Sequence, residues 1–209
     1  MSAATPSRPR PFELSGGNAA LDLVNTLDDR FASAGPLERL PDYADLLRFT
    51  CQSGLLEPEQ ARSLALSVSA PRAARALGAA HQLREALAGV LYAQLELRAP
   101  PHDALLRLEQ HFKQAARQRH LHAGCTTSGG AVEWRWGPLA QQAETPVWML
   151  AQTAADLLLS PLCARVRACE AETCRWLFLD ASKSHTRRWC DMKICGNRMK
   201  ARRFQERHP

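Results

Sequence analysis

Four cysteines near the C-terminal end, Cys169, Cys174, Cys190 and Cys195, form two C-x4-C pairs with fifteen residues between them. No other feature restricts the fold so tightly. Paired thiols with a hairpin-length insert suit a tetrahedral metal site, in which each pair supplies two adjacent corners and the intervening chain brings the pairs together. Zn²⁺ favours such thiolates, and four protein ligands leave no open position for catalysis. Other uses of these residues stay open from spacing alone. Disulfides need an oxidising compartment, and nothing at the N-terminus reads as a secretion signal. An iron–sulfur cluster also takes thiolates, but the segment lacks the compact C-x2-C-x2-C run of ferredoxin-type sites. Unrelated buried thiols are the plainest alternative. A module of about 45 residues has little core of its own, so a metal is expected to hold it together.

Charge points to the module's partner. The 209 residues carry a net charge of +6, yet residues 165–209 alone hold +7 and the rest −1. Four thiolates and one Zn²⁺ together add only −2, so the module stays basic. A polyanion is the expected partner. After Cys195, Gly196 permits a tight backbone and Asn197 can cap a helix. On it Lys200, Arg203 and Arg207 fall at i, i+3 and i+7 as an outward basic row beside Arg202, with Ala201 and Phe204 turned to the hairpin. These four side chains are expected to meet nucleic-acid phosphates. Arg198 either contacts the nucleic acid or braces the finger against Asp180, and Arg187 and Arg188, counted with it among the nucleic-acid-binding residues, help to position the finger.

The remainder reads as mainly α with one small hairpin. Residues 1–11, rich in proline, read as a disordered lead-in, and residues 12–160 as a helical domain. Phe12 and Leu14 alternate as in a short strand, and Gly16-Gly17 then turn into a helix with Ala20, Leu23, Val24 and Leu27 on one face. Further helices are expected from Pro41 to Gly54, from Glu57-Pro58 to Ala70, from Pro71 to Arg98, and from an Asp103 cap to Arg119. Leu121 and Ala123 before Ser128-Gly129-Gly130, and Val132, Trp134 and Trp136 after it, alternate as a β-hairpin. Pro146 opens a last helix before a short join at Ser160-Pro161. No run of apolar residues reaches membrane-spanning length, and a cytoplasmic location is expected.

Two segments carry a resemblance. Cys195-Gly196-Asn197-Arg198, with Trp176 to Asp180, Ser182 and Arg187-Arg188-Trp189-Cys190, resembles the CGNR zinc-finger family. The stretch Phe12 to Arg30, the series Leu37, Leu40, Tyr43, Leu46 and Leu47, and Gly54-Leu55-Leu56 are similar to the ABATE domain, the usual N-terminal companion of that finger. The resemblance implies a structural four-cysteine zinc module (165–209) on a transcription regulator. The helical domain would then sense a small-molecule effector or form a homodimer.

Enzyme signatures are absent: there is no G-x-S-x-G, P-loop, dinucleotide fingerprint or H-E-x-x-H. His102 and His111 are too far apart to share an ion, and His120 and His122 share a strand face without a third ligand in register. Cys51, Cys125 and Cys163 read as unpaired thiols, with Cys163 near enough to Cys169 to compete for metal. Asn25 and Arg30 are candidates for a ligand pocket walled by Trp134, Trp136 and Trp148, against a plain role in capping and helix-end electrostatics. The leading function is DNA binding by a regulator. A zinc-stabilised protein-interaction module and RNA binding remain the alternatives.

Overall fold

A computed structural model describes residues 10–124, 132–139 and 141–207, the side chains of residues 203 and 207 excepted. Most of the expected lead-in, Cys125 and the Ser128-Gly129-Gly130 turn lie outside the described residues.

Gly17, at a φ of +72°, turns the chain into α1 (Ala19–Asn25). The Asn18 side chain caps that helix by accepting from the Ala20 amide at 2.9 Å. A two-residue ribbon follows, β1 (Leu27–Asp28) against β2 (Leu37–Glu38). Next come α2 (Tyr43–Gln52), α3 (Pro58–Ser67) and α4 (Ala70–Leu95). Then α5 (His102–Ala116) leads to the hairpin of β3 (Arg119–Ala123) and β4 (Val132–Trp136), and α6 (Thr145–Leu158) closes the helical part.

The 26-residue α4 is the spine. Its buried Ala76, Ala80, Leu83, Leu87 and Leu91 recur at helical spacing and make one stripe. Against it pack α5, through Ala104, Leu108 and Ala115, and α6, through Val147, Leu150, Ala154 and Leu157. Leu21, Leu23 and Val24 of α1 fill the middle of the same core. Arg84 of α4 is buried and grips Glu38 of β2 with two bonds of 2.7 Å, which fixes the ribbon to the spine.

Several boundaries differ from the sequence reading for local reasons. Phe12 and Leu14 form no strand, because no second strand lies beside them. The Gln52 carboxamide satisfies the Phe12 backbone instead, and the Phe12 ring meets Phe49 edge-on at 5.3 Å. Asp42 caps α2, leaving Pro41 outside the helix. Pro101 takes the cap position of α5, which puts Asp103 in the first turn. His111 faces the core, where burial holds its pKa down, and it is remote from any metal role. Among the described residues, no helix is long and apolar enough to cross a membrane.

Candidate metal centre and its junction with the helical domain

A one-turn 3₁₀ helix, Pro161–Arg165, delivers the chain to β5 (Val166–Ala168), which pairs antiparallel with β6 (Leu177–Leu179). Cys169 follows β5 directly, and its amide donates to the Trp176 carbonyl at 2.8 Å. Cys174 sits in the turn between the strands, where its amide reaches the Ala171 carbonyl at 2.9 Å. In the second pair Cys190 precedes and Cys195 lies within a π-helical turn, Met192–Gly196, capped by Asp191, whose carboxylate accepts from the Lys193 and Ile194 amides. That turn runs unbroken into α7 (Asn197–Arg207). Asn197 is therefore already helical, and Asp191 does the capping expected of it. Gly196 is needed for close approach: a Cβ there would lie 2.4 Å from the Met192 sulfur and 3.2 Å from Trp189.

All four sulfurs lie within 4.8 Å of one another, and all four cysteines are buried. Cys190 Sγ is 3.6 Å from both Cys174 Sγ and Cys195 Sγ. Tetrahedral ligands with bonds of about 2.3 Å stand about 3.8 Å apart, so the quartet fits a single thiophilic ion. Without a cation these thiols could not all ionise: hydrogen bonds from Cys174 and Cys190 pull the Cys169 thiol down, and those two are pushed up. This is a metal-binding cysteine cluster. Cys163 stays outside it, with its thiol donating to Gln94 Oε1 at 3.1 Å.

The nearby arginines divide into distinct tasks. Arg187 stacks over Phe178 at 4.2 Å and donates to the carbonyls of Trp189, Cys190 and Ser15, so it is built into the knuckle. Arg198 donates to Cys195 Sγ at 3.1 Å. The buried Asp180 carboxylate is served by the Ser182 hydroxyl and the amides of Ser182 and Arg187, which together hold its pKa down. Arg198 thus braces the sulfur shell and leaves Asp180 to others. Arg188 is exposed and paired with Glu170, and Arg202 spans Glu172 at 3.2 Å and Glu206 at 3.0 Å. Lys200 is exposed and makes no ion pair among the described residues. Ala201 and Phe204, expected to face the hairpin, are instead exposed, Phe204 by 65%.

β6 has two faces with different destinations. Phe178 packs among the cysteines, with Trp176 and Trp189 beside it. Leu177 and Leu179 point the other way, into the helical core, together with Val166. The outer edge of β6 is tied to α1 and the turn before it. Asn25 donates to the Leu177 carbonyl at 2.9 Å and accepts from its amide at 2.8 Å. The Leu179 amide donates to the Gly16 carbonyl at 2.8 Å. Trp176 Nε1 donates to Asp28 at 2.9 Å, and the Tyr92 hydroxyl to the Arg175 carbonyl at 3.0 Å.

A cavity of about 410 Å³ opens beside this seam. Asn25 lines it, but Arg30 does not: that side chain pairs with Glu85 and stays away. Trp134, Trp136 and Trp148 are also absent from its walls, which include Phe12, Phe49 and Trp176. Sequence reasoning passed over Asp22, which is only 6% exposed and contributes to the cavity wall. Its one signal was an acid among Leu21, Leu23 and Val24. One carboxylate oxygen accepts from the Gly16 amide at 2.7 Å.

Burial pushes the Asp22 pKa up to about 6 from 3.8, against the opposing pull of the Gly16 amide. A carboxyl raised in this way favours folding fully below its unfolded value and loses that contribution as pH rises through the folded one. At pH 7 the charged form therefore costs stability, by at most about 3 kcal/mol. Asp22→Asn keeps an acceptor for Gly16 and should be about 1–3 kcal/mol more stable than the parent at pH 7. That advantage should shrink to near zero at pH 4, as urea melts at the two pH values will show.

Most of the chain divides between two families in the order of this architecture. Residues 17–161 match ABATE, described as "Putative stress-induced transcription regulator", and residues 165–208 match the CGNR zinc finger. The chain belongs to the ABATE family and carries a CGNR zinc finger at its C-terminal end. A search of curated proteins returns no match.

Proposed function

We propose that this protein is a DNA-binding transcription regulator whose four-cysteine cluster holds a structural Zn²⁺. The observation that carries the reading is the placement of α7, which grows directly from the last cysteine of the cluster and bears five of the module's twelve Lys and Arg residues. Zinc would crosslink Cys169, Cys174, Cys190 and Cys195, and a closed shell of four thiolates supplies no open position for activating water. The two family assignments agree with this role.

The phosphate-contacting set proposed from the spacing along α7 is Lys200, Arg202, Arg203 and Arg207, and Arg202, like Arg188, would contribute on exchange of its exposed ion pairs, which hold weakly in water. Arg187 and Arg198 support the knuckle and act through it. Each lost phosphate contact should reduce the slope of log affinity against log salt by about 0.9 on duplex DNA. Lys200→Ala, Arg203→Ala and Arg207→Ala should each show that reduction while retaining metal. Binding that is indifferent to salt, or unchanged in all three variants, would overturn the assignment. Exposed Met192, Ile194 and Phe204 favour a second reading, a protein-interaction surface on the finger, which that outcome would promote. Parallel titration of single-stranded RNA separates the RNA alternative.

A further inference from the structure

Of the five carboxylates around the cavity beside the finger seam, three are paired with arginines. Asp28 is paired with Arg39 at 2.9 Å, Asp45 with Arg48 at 2.6 Å, and Glu38 with Arg84 at 2.7 Å. Arg10 and Glu13 stand exposed at the rim. Asp22 alone is buried in the wall without a cationic partner, and among the described residues no donor reaches its second carboxylate oxygen. A buried carboxylate with a spare oxygen facing open volume is an incomplete ion pair. The Gly16 amide accounts for one oxygen of Asp22 and leaves the other for a further partner.

The walls indicate what completes it. Phe12 and Trp176 supply ring surface, with the wholly buried Phe49 backing Phe12, and Pro11 and Pro41 supply further apolar surface. A volume of about 410 Å³ accommodates a small organic molecule. We propose that this cavity binds a small primary amine, with its ammonium on the free oxygen of Asp22 and an apolar or aromatic stem against Phe12 and Trp176. The site is shared between the two parts of the chain, because Trp176 belongs to the finger while Asp22 and Phe49 belong to the helical domain. Asp28 and Asn25, which hold Trp176 and Leu177, also line it, so an occupant touches the seam itself. This deepens the regulator reading by giving the helical domain a ligand class, but binding at Asp22 does not depend on whether the finger meets DNA.

The test uses the full chain and 2-phenylethylamine, with 2-phenylethanol and 3-phenylpropionate as partners of similar shape and different charge. Calorimetry and thermal melts are run without nucleic acid, so a failure here is separate from a failure of DNA binding. The amine should raise the melting temperature at millimolar concentration, and the alcohol and the acid should not. Asp22→Asn, which should fold at least as stably as the parent, should weaken amine binding by about tenfold or more, the loss of one charge-assisted contact. No binding of the amine, equal binding of the alcohol or the acid, or full binding by Asp22→Asn would each overturn the proposal.

Discussion

Removing the metal from the full chain, or replacing Cys190 with serine, should collapse the finger and also lower the melting temperature of the helical domain. The first part follows from size. The finger's own buried cluster consists of Phe178, Ala171 and the cysteines themselves, flanked by Trp176, Trp189 and Met199. Such a core cannot offset the chain entropy of about 45 residues. In comparable peptides metal binding contributes about 10–16 kcal/mol of apparent free energy, and that free energy is the folding free energy. The second part follows from β6. Leu177 and Val166 are buried in the helical core, each worth about 1.5–3 kcal/mol when fully buried, so a finger that lets go uncovers α1 and α4. Helical circular dichroism should largely persist while the melting temperature drops. Cys163→Ser is the control, since that thiol bonds Gln94 outside the quartet, and it should keep full metal content. Elemental analysis beside thermal melts decides the matter. Cys190→Ser protein with full metal and an unchanged melting temperature would remove the cluster from any structural role.

The legible parts of this protein were those that repeat or pair within a short window. The long helix opened at Pro71, the last helix opened at Pro146 and the alternating hairpin follow from local signals, and the cysteine quartet from ligand spacing. What escaped depends on contacts far apart in the chain. The alternation of β6 showed Leu177 and Leu179 on one side and Trp176 and Phe178 on the other. Nothing local said that the leucines would enter the helical core instead of a core of the finger. Asn25 lies 152 residues from Leu177, and its polar side chain within an apolar helix read first as capping and second as a pocket. Arg30 was grouped with Asn25 by proximity in sequence, but the turn after α1 carries it to Glu85. The basic row of α7 was visible in its spacing, while Glu172 and Glu206, which engage Arg202, come from a loop across the finger and from the next turn.

Asn25→Ala should destabilise the chain by about 2–6 kcal/mol, as much as emptying a site in the helical core. The β6 edge that faces away from β5 presents the amide and carbonyl of Leu177 to the helical domain, where no strand exists to receive them. The Asn25 carboxamide supplies one donor and one acceptor at the right separation and so stands in for a neighbouring strand. Truncation leaves both backbone groups buried and unpaired, at about 1–3 kcal/mol each. Asn25→Asp should fare little better, since a carboxylate can accept from the Leu177 amide but must then face its carbonyl without a proton to share. The loss has a functional consequence, because the same edge holds Trp176 against Asp28 and sets the finger on α1. In Asn25→Ala the cysteine cluster should still take up metal while the seam opens, giving faster proteolysis near residues 160–165 and a lower denaturant midpoint. An Asn25→Ala chain within about 0.5 kcal/mol of the parent, the range of an ordinary surface substitution, would show that the seam is held by its leucines alone.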